Sequence, residues 1–161
     1  MKRVVVISAL AYAFFLAEFV LYNTFGRWGK PEFLVLLVVF CNLYWGIRYS
    51  IIAAFICGIL KDAFGVEPFG TFLFIYAVAA YLTTFIRRNL YQPGSRVSRV
   101  MVACLVVVGC FLISLFAHSL QHEVRLTEAL TFILMPQLVT TVIVATIVFH
   151  RLRDLVVRFK I

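Results

Sequence analysis

The 161 residues are 64% hydrophobic and only 14% charged, with a mean hydropathy of +1.04. A soluble domain carries about a quarter charged residues, so this composition excludes a water-soluble globular protein and makes lipid the natural solvent for the surplus apolar surface. The net charge of +8 does not indicate nucleic acid, because the basic residues lie between apolar runs and at the two ends rather than on one soluble face.

A helix rising 1.5 Å per residue needs about 20 residues to cross the hydrocarbon core. Six runs approach that length: Val4–Tyr22, Phe33–Ile47, Tyr49–Leu60, Thr71–Ile86, Val100–Ala117 and Ala129–His150. They predict one all-α integral membrane domain over residues 1–161, a compact polytopic bundle of six transmembrane helices, with five as the alternative. Lys2 and Arg3 ahead of the first run fit a signal peptide. However, the run is long for a signal core and lacks a small-residue cleavage site, so it reads as a retained span.

The second and third runs flank Trp45-Gly46-Ile47-Arg48. Read as two spans, they leave Arg48 in a tight turn at the membrane surface. Read as one, they place Arg48 mid-helix at a cost of about 2.5–3.5 kcal/mol. Tyr44 and Trp45 resemble interfacial aromatics and favour the turn.

With six spans and the amino terminus inside, the cytoplasmic side holds Lys2, Arg3, Arg48, Arg87, Arg88, Arg96, Arg99, Arg151, Arg153, Arg158 and Lys160. The outer side holds Arg27, Lys30, Lys61 and Arg125. Eleven against four is a positive-inside pattern, with both termini in the cytoplasm. Arg87, Arg88, Arg96 and Arg99 form a basic loop around Pro93-Gly94. Residues 151–161 read as an amphipathic tail in which Leu152, Leu155, Val156 and Phe159 recur at helical spacing beside Arg151, Arg153, Arg158 and Lys160. Both basic segments suit anionic lipid.

Chemistry-bearing residues are few. Cys41, Cys57, Cys104 and Cys110 fall inside apolar runs with no CxxC pair, and read as hydrophobic filler. His118 and His122 stand four apart, but HSLQHE is not the HExxH order, so no metal site is expected. Glu18 lies near the outer end of the first span, and both a functional carboxylate and one snorkelling to the headgroups fit it. Pro136-Gln137 interrupts the last run, as occurs at transporter sites and in ordinary spans alike. No nucleophile–base–acid order and no phosphate-cradling glycine loop occurs, so neither enzyme nor cofactor is expected.

The most informative segment runs from Gly58 to Gly70, G-I-L-K-D-A-F-G-V-E-P-F-G. Gly58 and Asp62 share a helix face, and glycine there permits close approach of a neighbouring helix. Gly65 stands where a helix C-cap glycine would, and Pro68 and Gly70 suit a re-entry turn. Asp62 can accept hydrogen bonds from backbone amides that start the next span and so brace a hairpin, with Lys61 snorkelling to the outer surface. A docking or ligand-contacting carboxylate is the functional alternative. Gly58, Ala77 and Ala80 also offer small-residue faces on which another chain's helix can pack.

This segment, together with Pro31 opening the second span, resembles the bacterial rod shape-determining protein MreD family. The matching positions are Pro31, Gly58, Asp62, Gly65, Pro68 and Gly70, followed by an apolar span containing Ala77, Ala79 and Ala80. The resemblance implies a non-enzymatic component of the cell-elongation machinery in the bacterial inner membrane. It implies binding to the single-pass coiled-coil shape protein MreC, and through it a link to the MreB filament and to the elongation-specific transglycosylase and transpeptidase that build lateral peptidoglycan. In that setting the six residues shape a hairpin on which the bundle or its partner packs. The competing expectation is a substrate-capturing membrane subunit of an energy-coupling-factor vitamin transporter. That requires convergent polar or aromatic side chains, for which Asn42, Tyr81, Glu18 and Gln137 are the candidates.

Overall fold

A computed structural model describes residues 2–25, 32–65, 68–90, 96–119, 140, 141, 143–145 and 147–149. Among them every regular element is an α-helix: α1 (Lys2–Phe25), α2 (Phe33–Trp45), α3 (Ile47–Phe64), α4 (Thr71–Leu90) and α5 (Arg96–Ser119). The described residues between 140 and 149 are helical as well. The expected residues Pro31, Pro136-Gln137, His122 and the basic tail Arg151, Arg153, Arg158 and Lys160 lie outside the described residues.

Helix α2 is the centre of the bundle. Eleven of its thirteen residues, Phe33 to Leu43, are buried, as expected of a helix that is apolar on every side. Thirteen residues make a rod of about 20 Å, shorter than the roughly 30 Å hydrocarbon core. It packs against α1, α3, α4 and α5, while α3 packs between α1 and α4. Helix α1 lies at the margin. Its stretch Arg3–Thr24 is long and apolar enough to cross a bilayer alone, and most of it is exposed. Aromatic contacts fasten it near its middle, with Phe14 against Phe33 at 5.8 Å and Phe15 against Phe64 at 5.1 Å between ring centroids.

At the Trp45–Arg48 junction the helix breaks at Gly46. The backbone there has φ +88°, a conformation that side-chain-bearing residues rarely adopt. The Gly46 amide donates to the Asn42 carbonyl at 3.1 Å and ends α2, while its carbonyl accepts from the Ser50 amide at 3.2 Å and starts α3. One residue thus serves both helices. Arg48 stands exposed in the first turn of α3 rather than in the turn itself.

Helix α3 also runs one turn past the apolar stretch, to Phe64, and so carries Lys61 and Asp62 as buried helical residues. Its pairing with α4 depends on Gly58, where an added Cβ would lie 2.6 Å from the Leu73 Cα. Backbone atoms that close leave no room for any side chain. The small face expected to receive another chain's helix is therefore used internally: Gly58 and Ala80 are buried, and of the three only Ala77 is exposed.

Substituting Gly58→Ala forces α3 and α4 apart and lowers stability by about 1–3 kcal/mol, the usual range for overpacking. Gly109→Ala costs less, because its new methyl meets only the terminal Cδ2 of Leu82. Heat-unfolding midpoints of the two variants in mild detergent check the order.

Candidate functional site

Two neighbouring arrangements occupy the end of the bundle where α1 finishes, α2 begins and α3 finishes. The first is a buried ionic cluster. The Lys61 Nζ lies 3.0 Å from Glu18 Oε1 and 3.0 Å from Glu32 Oε2, bonding the latter directly. The lysine and Glu18 side chains are 9% and 8% exposed. Lys61 is also capped by aromatic faces, with the Phe72 and Tyr76 ring centroids at 5.0 and 5.6 Å, and a cation gains from such faces most when desolvated. One ammonium thereby joins residues from α1, α3, α4 and the N-cap of α2.

The second arrangement is the α3–α4 hairpin. The first four amides of a helix have no partner within it, and away from water each requires one. At the start of α4 all are satisfied. The Thr71 amide donates to the Pro68 carbonyl at 3.2 Å and the Phe74 amide to the Gly70 carbonyl at 3.0 Å. The Phe72 amide donates to Asp62 Oδ1 at 3.0 Å and the Leu73 amide to Asp62 Oδ2 at 3.1 Å. Asp62 Oδ2 takes a further bond from the Gly70 amide at 3.0 Å. The carboxylate thus stands at the positive end of the α4 dipole, where negative charge is favoured.

Gly70 has φ +102°, which permits the reversal. Gly65 terminates α3 with extended rather than left-handed backbone. It is a glycine for another reason: an added Cβ would lie 2.8 Å from the Lys61 carbonyl.

At the opposite end, a neutral cluster closes the bundle. Asn42 Nδ2 donates to the Ala80 carbonyl at 2.9 Å and to Thr84 Oγ1 at 2.7 Å. The Arg87 guanidinium donates to the Asn42 carbonyl at 2.7 Å, near the C-terminus of α2. Arg3 lies over the Tyr49 ring at 5.4 Å and ties α1 to α3.

With this geometry in place, the comparison with known families is decisive. The family model described as rod shape-determining protein MreD matches residues 1–158. The chain belongs to the MreD family. No curated protein and no solved structure matches it. MreD chains are rod-shape-determining membrane proteins, and the family is a structural one, not known for enzymes.

Several sequence expectations meet this MreD structure directly. Asp62 accepts backbone amides from the start of the following helix, as its spacing suggests. Lys61 is corrected: it does not snorkel to the surface but is buried, because Glu18 and Glu32 supply its counter-charges inside. The two readings of Glu18 give way to the same ion pair. Arg87 is likewise not a free loop charge, since it is spent on the Asn42 carbonyl. Arg88 is exposed in the last turn of α4, and Arg96 and Arg99 belong to the first turn of α5. The residues weighed for a vitamin site do not converge. Glu18 and Asn42 are engaged at opposite ends of the bundle, Tyr81 faces outward, and Gln137 is outside the described residues.

What sequence reading missed was the partnership of Glu18, Glu32 and Lys61. Its only trace is that three rare charges fall near the end of the first apolar run, at the start of the second and at the end of the third, which successive antiparallel helices bring to one side. Replacing Lys61 with methionine leaves two facing carboxylates in a low-dielectric site and lowers stability by about 3–5 kcal/mol. The double variant Glu18→Gln with Lys61→Met recovers part of that loss, and unfolding in detergent reads the difference. Asp62→Ala removes the acceptor of three amides at about 1–3 kcal/mol for each group left buried. Its level in membranes falls below that of Asp62→Asn, which keeps one carbonyl oxygen.

Proposed function

We propose that this protein is a multi-pass component of the bacterial inner membrane that acts in cell elongation as a non-enzymatic binding partner. In this reading it holds the MreC-like single-pass coiled-coil shape protein. Through that partner it associates with the MreB filament and the elongation-specific transglycosylase and transpeptidase, and so helps control lateral peptidoglycan synthesis. The observation that carries the reading is the family match over residues 1–158. The chemistry of the bundle agrees with it. Glu18, Glu32, Lys61, Asp62 and Asn42 are all engaged in joining helices to one another, the use of polar groups expected in a scaffold.

The orientation follows from charge. The end bearing Arg3, Arg48, Arg87 and Arg88 faces the cytoplasm under the positive-inside rule, and the Lys61 cluster faces outward. Arg88, with Arg96 and Arg99, then meets anionic lipid or an acidic cytoplasmic partner. Arg87 is excluded from that role by its bond to Asn42.

Affinity purification of the tagged protein from native membranes in mild detergent tests the assignment. The expected result is recovery of a single-pass coiled-coil shape protein together with wall-elongation enzymes. Recovery of two ATPase subunits with a long-helix membrane coupler would overturn it. Neutralising Arg88, Arg96 and Arg99 together reduces recovery of cytoplasmic partners and leaves the single-pass partner bound. Arg87→Gln instead lowers the amount of folded protein. Quantitative mass spectrometry of the purified material separates the two effects.

A further inference from the structure

Among the described residues every carboxylate, Glu18, Glu32 and Asp62, lies at the Lys61 end of the bundle, while the opposite end carries Arg3, Arg48, Arg87 and Arg88 and no acid. Arg87 is engaged by the Asn42 carbonyl. Arg3 is positioned in a different way. Its Cζ lies 5.4 Å over the Tyr49 ring, and no ion pair holds it among the described residues. A ring face attracts a guanidinium without using any of its five N–H donors. Arg3 is therefore fixed in place with its hydrogen-bonding capacity unspent.

The seat beneath it is built from the core outward. Tyr49 packs edge-on against Trp45 at 6.1 Å between ring centroids, and Trp45 packs against Phe40 at 6.2 Å. Phe40 is fully buried, so the platform under Arg3 is continuous with the interior of α2. Arg48 precedes Tyr49 and is exposed, with its Cα about 3.8 Å from that of Tyr49. Two guanidinium groups, one from α1 and one from α3, thus issue from one corner and attract an anion that both can reach. The first turn of α3 contains no acid, so the positive end of its dipole adds to the same potential.

The depth of the corner identifies the anion. Under the positive-inside orientation this end meets the cytoplasmic headgroup layer, the level that Trp and Tyr also favour. The anion permanently present there is a lipid phosphate. Just inward of the two arginines, Val5 and Ile51 are 67% and 49% exposed, and their apolar surface suits the acyl chains of the same molecule. A lipid of net negative charge is preferred to a zwitterion, which brings its own cation.

We propose that Arg3 and Arg48, on the Trp45–Tyr49 platform, hold the headgroup phosphate of one anionic phospholipid at the cytoplasmic corner between α1 and α3. The assignment rests on the inner-membrane orientation of the proposed function. It is separate from the contact of Arg88, Arg96 and Arg99, because α3 lies between α1 and α4.

Trp45 reports on the corner directly, since Trp28 is the other tryptophan of the chain and Trp28→Phe leaves Trp45 alone. The full chain carrying Trp28→Phe is reconstituted in vesicles of mixed phosphatidylcholine and phosphatidylglycerol, with one or the other lipid brominated on its acyl chains to quench tryptophan fluorescence. Both leaflets have the same composition, so the readout does not depend on orientation. The expected result is stronger quenching by brominated phosphatidylglycerol than by the same fraction of brominated phosphatidylcholine. Arg3→Gln and Arg48→Gln each lower that preference by about fivefold, the effect of roughly 1 kcal/mol per arginine at a membrane surface. Arg88→Gln leaves it unchanged. Equal quenching by the two lipids in the parent chain would overturn the site, whether or not the variants fold. An equal loss from Arg88→Gln would also overturn it, by showing attraction to the whole basic end rather than to one corner. Relief of the preference by inorganic phosphate at constant ionic strength would replace the lipid with a soluble anion. The measurement uses the chain alone, so each of these results leaves the recovery of a single-pass partner, and with it the proposed function, to its own test.

Discussion

The ammonium of Lys61 cannot be buried in an apolar bundle without counter-charge, and the arrangement of the helices around it follows from that requirement. Glu18 comes from α1 and Glu32 from the N-cap of α2, so satisfying the lysine on α3 brings three chain segments to one point. The aromatic rings of Phe72 and Tyr76 close the site from α4. Such a cluster is a poor source of net stability compared with apolar packing of equal volume, because desolvating the ions offsets their attraction. Its effect is to select one mutual position of the helices. A bundle that is apolar almost everywhere has few other means of choosing among rotations and slides of its helices, since lipid and leucine are alike to a packing face.

The two ends of the bundle solve the same problem with different chemistry. At the Lys61 end, charged groups are matched with each other and with the amides of α4, through Asp62. At the other end, a neutral amide, two hydroxyl or carbonyl partners and one guanidinium connect α2 to α4, by way of Asn42, Ala80, Thr84 and Arg87. Between these ends the contacts are almost wholly apolar, with Gly58 allowing α3 to reach α4. Fixing both ends of α2 in this way holds the short central helix at its depth, where its own length of about 20 Å would not.

The parts legible in the sequence were those written locally. Asp62 lies eight residues from Gly70 and eleven from Leu73, so the hairpin it braces could be inferred from spacing and turn residues. The break at Gly46 was legible because glycine, flanking aromatics and an arginine coincide there. The ionic cluster was not legible, because forty-three residues separate Glu18 from Lys61 and nothing in either neighbourhood names the other. The bland reading of Lys61 failed for the same reason: a lysine near the end of an apolar run snorkels only when no carboxylate is already in reach. Arg87 was misassigned because a run of arginines in sequence was taken as a single surface feature. Helical geometry sends Arg87 inward to a carbonyl and Arg88 outward to solvent.

The order of charges along the chain matters for how such a protein is made. Glu18 and Glu32 are synthesised before Lys61, and the segment that carries the lysine therefore enters a membrane in which both of its acids are already present. Asp62 follows at once, and the amides it requires arrive within the next eleven residues. A nascent chain built in this sequence never has to hold a cation in lipid while waiting for a partner still on the ribosome. The reverse order of the same residues would encode the same contacts and a harder biogenesis.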